Sequence, residues 1–222
     1  MKLLNSYKPC SKRFQADLSS LYSNNDSLIY LLRHGRIEGH GTKRFIGQTD
    51  VLLDDLGKNQ AKTWHNALDS IHFNAVYSSS LKRCCQTAQL VCPKQNINID
   101  NRLNEINMGN WDGKSFDKIK KKRLEKFEKR GREIYQFRPA NGESFKDLSD
   151  RIFPFFNSLK SSGSKHKTTH GQKEPCSNIL VVTHAGVIRL LICRILEMNP
   201  EDIFKIKLAY GELFVLKIEH AV

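Results

Sequence analysis

Two uninterrupted apolar runs, far apart along the chain, each stop at a histidine. Leu28-Ile29-Tyr30-Leu31-Leu32 leads into Arg33-His34-Gly35, and Asn178-Ile179-Leu180-Val181-Val182 leads into Thr183-His184-Ala185-Gly186. Runs this short cannot span a membrane, and their branched and aromatic residues suit strands buried on both faces of a parallel sheet. Ligands of open α/β sheets bind at the carboxyl ends of the strands. An arginine, an imidazole and a glycine at such an end are well placed to hold an anion, although Arg33-His34-Gly35 alone reads equally well as a surface turn. The second run shifts the balance: if the two strands are neighbours, both imidazoles reach into one crevice. The apolar residues after His184 (Val187, Ile188, Leu190, Leu191, Ile195) recur at helical spacing.

Several classes are set aside by composition. The 222 residues are 39% hydrophobic, enough for a sizeable core, and no apolar stretch approaches the length of a membrane helix. One domain is expected, because the two halves of the candidate site come from opposite ends of the chain. A net charge of +13 favours anionic partners, with phosphate esters, nucleic acid and anionic membranes all to be weighed. The six cysteines form no CxxC pair, and Cys84-Cys85 adjoin, so they read as reduced thiols of a cytoplasmic protein.

Residues 1–26 are polar and weakly basic and lack the apolar region of a secretory signal; they are expected to be a disordered or loosely packed extension. Asp54 is a candidate N-cap for a helix carrying Ala61, Trp64, Leu68 and Ile71 on one face. Asn74–Ser79 reads as a strand that opens onto a helix near Arg83, and a helix amino terminus adds N–H groups and partial positive charge to an anion site. An arginine in a first helical turn is, by itself, more often a solvated surface residue. Ile97–Asp100, Ile206–Leu208 and Leu213–Ile218 read as further strand material, and Phe145, Leu148, Ile152 and Phe156 as one face of a helix. Residues 118–132 hold nine lysines and arginines, for which a solvated helix face is the ordinary explanation; no nucleic-acid-binding motif accompanies them. Ser161–Ser177 reads as a loop whose His166, His170 and Cys176 match no zinc spacing.

Taken together, these segments resemble the histidine phosphatase superfamily, the phosphoglycerate-mutase-like enzymes, from about Leu28 to about Ile218. The resemblance rests on Arg33-His34-Gly35, on the S-x-L-x-R-x-x-x-T-A element from Ser79 to Ala88, on Glu105 followed by Gly109-x-Trp111-x-Gly113, on Gly142-Glu143-Ser144, and on His184 late in the chain. It implies a single domain over 27–222, folded as a three-layer α/β/α sandwich with a mostly parallel central sheet flanked by helices. The chemistry implied is a phosphomonoesterase in which His34 is the nucleophile, Glu105 the proton donor, and Arg33, Arg83 and His184 the groups that hold the phosphoryl oxygens. Gly35, the backbone amide of Gly47, His40 (where many relatives carry asparagine) and Glu143 are further substrate-binding candidates, with a helix-start carboxylate the equal alternative for Glu143. Neither metal nor cofactor is required, since the arginines supply the positive charge. The partner is a small phosphate monoester, with no nucleic acid and no membrane; the oligomeric state is left open, a homodimer included.

Such a site would split a very slow hydrolysis into two steps, with attack by an unprotonated His34 to form a phosphohistidine and then attack by water. Arg33 and Arg83 would keep that imidazole neutral and, with His184, neutralise the transferring group. Arg44-Phe45-Ile46-Gly47-Gln48-Thr49-Asp50 with Asn110-Trp111-Asp112-Gly113 most resembles the α-ribazole phosphatase branch, which acts on a nucleotide-like intermediate of cobalamin biosynthesis. The alternatives are a phosphoglycerate mutase or a broad-specificity sugar-phosphate phosphatase, and, further off, a catalytically idle module binding a phospholigand or nucleic acid. The short distance from Glu105 to Glu143 favours hydrolysis, because mutases of this family carry a longer insertion there.

Overall fold

The computed structural model describes residues 1–9, 11–23, 26–162 and 177–219. The loop expected over Ser161–Ser177, with its two histidines and Cys176, lies almost wholly outside them. The strands are β1 (Lys2–Tyr7), β2 (Leu28–Arg33), β3 (Ala75–Ser78), β4 (Ile97–Ile99), β5 (Asn178–Thr183) and β6 (Leu213–Lys217). They form one sheet in the order β1-β6-β2-β5-β3-β4. β2, β5, β3 and β4 run parallel, and β6 is antiparallel to both of its neighbours. The two apolar runs are therefore adjacent, with Leu28 opposite Asn178 and Arg33 opposite Thr183.

Helices cover both faces, as continuous hydrophobic strands require. Leu28, Tyr30 and Leu32 point into a core with α2 (Asp55–Leu68) and α3 (Lys82–Val91), while Ile29 and Leu31 point into the opposite core with α6 (Phe145–Ser162) and α7 (Ala185–Ile195). Asp54 caps α2 by accepting from the Gly57 amide at 2.8 Å, so the helix starts where its capping residue predicts. The basic segment folds as two short helices, α4 (Phe116–Lys122) and α5 (Leu124–Arg132), beyond the second core. Among the described residues no helix is long and apolar enough to cross a membrane.

Two expectations are corrected. Residues 1–26 are not a loose extension throughout: β1 pairs antiparallel with β6, and the helix that follows, α1 (Lys12–Ser23), inserts Phe14 edge-on against Trp64, both rings being buried. The polar composition conceals this because β1 is an edge strand that buries one side chain, Tyr7. Ile206–Leu208 is not strand, although Leu213–Lys217 is. The carbonyls of Ile206 and Leu208 instead accept from Arg189 and Arg33, so this backbone serves side chains rather than a ladder.

Candidate active site

Register places the two histidines. Because Arg33 pairs with Thr183, His34 and His184 leave neighbouring strands side by side, and the His34 amide donates to the Thr183 carbonyl at 3.0 Å. Their ring centroids lie 5.1 Å apart. Each ring's proton can be located from its partners, since a carbonyl only accepts and a guanidinium only donates. His34 Nδ1 lies 2.8 Å from the Gly35 carbonyl, so Nδ1 carries the hydrogen and Nε2 keeps a free lone pair. His184 Nδ1 accepts from Arg83 Nε at 3.2 Å, so its hydrogen is on Nε2, which meets Ser79 Oγ at 2.7 Å. Ser79 Oγ in turn donates to Asn104 Oδ1.

Both imidazoles are buried, and both are held well below the ordinary histidine pKa. For His34 the largest cause is burial, followed by the charges of Arg33 and Arg83; for His184 burial again comes first, then Arg83. Two arginines were the expected cause at His34, and they prove the lesser one. A pH dependence follows. The folded rings stay neutral where an unfolded chain's histidines would take up protons. Their contribution to stability is therefore complete above the unfolded value of about 6.5 and is lost as pH falls below it, by up to about 1.4 kcal/mol per pH unit for each ring. Thermal melts should show Tm falling between about pH 7 and pH 5; a flat profile there would mean that the rings are not held neutral.

Arg83 is buried, and besides His184 it donates to the carbonyls of Thr49 and Gly47 at 2.9 and 2.7 Å. The loop it grips is shaped by Asp112, whose carboxylate accepts from the amides of Gly47, Gln48 and Thr49 and from the Thr49 hydroxyl. The motif Asn110-Trp111-Asp112-Gly113 contains Asp112 but assigns it no role of its own. Its presence also corrects the expectation for Gly47, whose amide donates to Asp112 at 3.1 Å rather than standing open to a phosphoryl group.

On the other side of the crevice, Arg33 Nη1 donates to the Leu208 carbonyl at 3.0 Å, and its guanidinium lies 3.9 Å above the Tyr210 ring. Arg33 Nε is buried with no protein partner among the described residues. Tyr210 was likewise unanticipated. Glu105 is buried: its carboxylate accepts from the Ile106 amide at 2.9 Å and, at 3.1 Å, from the amide of Gly186, two residues after His184 in the first turn of α7. Gly186 is glycine for this reason, since a Cβ there would stand 2.2 Å from Glu105 Oε1.

This is a constellation for anionic esters: two neutral imidazoles, one buried and one half-buried guanidinium, and a carboxyl group. The sequence model described as "Histidine phosphatase superfamily (branch 1)" matches residues 29–222. The chain belongs to the histidine phosphatase superfamily. It is 28% identical to the adenosylcobalamin/alpha-ribazole phosphatase of Salmonella typhimurium, over 82% of this chain and 86% of that protein. It is 29% identical to a 2,3-bisphosphoglycerate-dependent phosphoglycerate mutase of Azorhizobium caulinodans, over 84% and 89%. Among solved structures, the alpha-ribazole phosphatase from Shigella flexneri superposes with a TM-score of 0.72 at 27% identity, covering 83% of this chain and 87% of that one.

Within this histidine phosphatase the remaining candidates sit differently from the five. His40 is exposed, beside Arg36 at 3.4 Å and Asp54 at 4.0 Å, and no contact ties it to the histidine pair. Glu143 gives both oxygens to Arg151 and also accepts from the Asn107 amide, so it serves as a structural counter-ion rather than as an open ligand or a helix cap. Gly35 donates its amide to Thr87 Oγ1 at 3.2 Å, and its Cα is pressed against Gly57 of α2. Its lack of a side chain is thus demanded by packing rather than by approach to an anion.

Proposed function

We propose that this histidine phosphatase hydrolyses a small phosphate monoester in two steps, with His34 Nε2 attacking phosphorus and water then cleaving the phosphohistidine. The observation that carries the reading is the tautomer of His34: Nδ1 is committed to the Gly35 carbonyl, so the lone pair on Nε2 is available and the neighbouring charges favour keeping it so. Arg33, whose buried Nε has no protein partner among the described residues, and Arg83 are the groups to neutralise the equatorial oxygens. His184 adds a hydrogen bond only if the ring itself swings its Nε2–H from Ser79 to the ligand. Glu105 delivers the proton to the leaving oxygen. α-Ribazole 5′-phosphate is the substrate we favour, on the similarity to enzymes of that name. The mutase alternative is less favoured, because only a single 3-10 turn at Gly109–Trp111, α4 and α5 intervene between Glu105 and Glu143, a short cover for an intermediate that a mutase must keep from water. The described cysteines are free thiols, which fits a reducing compartment such as the cytoplasm.

The test lies in the leaving group. An alkoxide needs a proton to depart and a nitrophenolate does not, so Glu105→Gln should slow single-turnover phosphorylation by an alkyl phosphate about 10² to 10⁴-fold. The same substitution should leave an aryl phosphate far less affected. Equal losses with both substrates would remove Glu105 from the role of acid.

A further inference from the structure

The catalytic reading leaves the basic segment unused, yet its side chains form one wall of a groove of about 690 Å³. None of Arg33, His34, Arg83, Glu105 and His184 lines it. Seven lysines and arginines surround this space against a single carboxylate, Glu133. Lys118 and Lys122 project from α4 four residues apart, Arg123 and Lys126 follow at the start of α5, and Trp111 and Phe137 form the floor. Lys118, Lys122, Arg123 and Lys126 have no carboxylate within ion-pair distance among the described residues, whereas Lys129 and Arg138 are paired with Glu133 and Asp147. Like charges at helical i,i+4 spacing repel one another. A concave cluster of unpaired cations is therefore locally unfavourable until an anion enters.

We propose that this groove is a second ligand site, distinct from the catalytic crevice, for a small organic polyanion: two or more phosphates carried on a flat or apolar body, as in a nucleoside triphosphate. The volume falls in the range of small-molecule pockets. The lysine stems, Ile119, Pro139 and the two aromatic residues supply an apolar lining beneath a cationic rim, which suits such a ligand better than bare phosphate. Enclosure by the wall and floor favours a small molecule over nucleic acid, which would track a longer open strip of charge.

The imido analogue of ATP is the probe, read by tryptophan fluorescence. The two tryptophans differ usefully, for Trp111 lies on the groove floor while Trp64 is buried beneath Phe14. Titration should change the fluorescence, and Trp111→Phe should remove the response. Binding should weaken at least tenfold in Lys118→Glu/Lys122→Glu/Lys126→Glu and in the milder triple alanine variant. Turnover of p-nitrophenyl phosphate should be unchanged in both. Saturating orthovanadate, a mimic of the transferring phosphoryl group, should leave the binding intact. Displacement by vanadate, indifference to both triple variants, or no binding at millimolar probe overturns the proposal. So does equally tight binding of inorganic tripolyphosphate, or tighter binding of a single-stranded oligonucleotide.

Discussion

His34→Ala is expected to abolish turnover and phosphoryl labelling of the protein together. The loss should be on the order of 10⁶-fold, the scale seen when a covalent nucleophile is removed from a hydrolase. The reason is positional. His184, the neighbouring imidazole, has Nδ1 occupied by Arg83 and presents a proton rather than a lone pair on Nε2, so it cannot take over the attack. Rapid denaturation at alkaline pH, where a phosphohistidine survives, after mixing with a radiolabelled phosphate ester is the measurement. Labelling that persists in His34→Ala would relocate the nucleophile, and labelling that vanishes while turnover survives would replace the two-step scheme with direct attack by water.

Gly35→Ala should be strongly destabilising, although it adds a single methyl group. An added Cβ would stand 2.4 Å from the Gly57 carbonyl oxygen, and the facing glycine is equally constrained, since a Cβ on Gly57 would lie 2.0 Å from the Arg36 carbonyl oxygen. Backbone stands on both sides, so neither partner can yield as a flexible side chain would. The expected cost is about 3 kcal/mol or more, read as a lower urea midpoint at unchanged m-value. Gly41→Ala, a few residues along the same loop, meets nothing within 4 Å and should stay within about 0.5 kcal/mol of the parent. A Gly35→Ala protein of normal stability that had lost activity would return the residue to the role of letting an anion come close.

The difference between what could and could not be read beforehand follows from range. β2 and β5 announce themselves because a strand buried on both faces must be apolar at every position, and the chemistry sits at their ends. Arg83, Glu105 and His184 were reachable through spacing that resembles a known family. The finer assignments depend on partners distant in the chain. Nothing near Gly47 indicates that its amide is taken by Asp112, 65 residues on, and nothing near Glu143 indicates that the Asn107 amide, 36 residues back, claims its carboxylate. β1 was illegible for the same reason, its whole hydrogen-bonding partner being β6, more than two hundred residues later.

That last pairing bears on how the protein is made. A ribosome delivers β1 first, whereas β6, which sits between β1 and β2 in the sheet, is the last of the six strands to appear. The turn before β6 also supplies the Gly211 amide that holds the His34 carbonyl and the Gly211 carbonyl that accepts from Trp64, the ring on which Phe14 rests. Until β6 emerges, the first two strands lack their common neighbour and the end of β2 at His34 lacks its brace. Contacts of such sequence separation are slow to form. A nascent chain halted before Leu213 would thus hold Arg33, His34, Arg83, Glu105 and His184 and still lack the strand that joins β1 to β2, so the candidate site is braced only once β6 has joined the sheet.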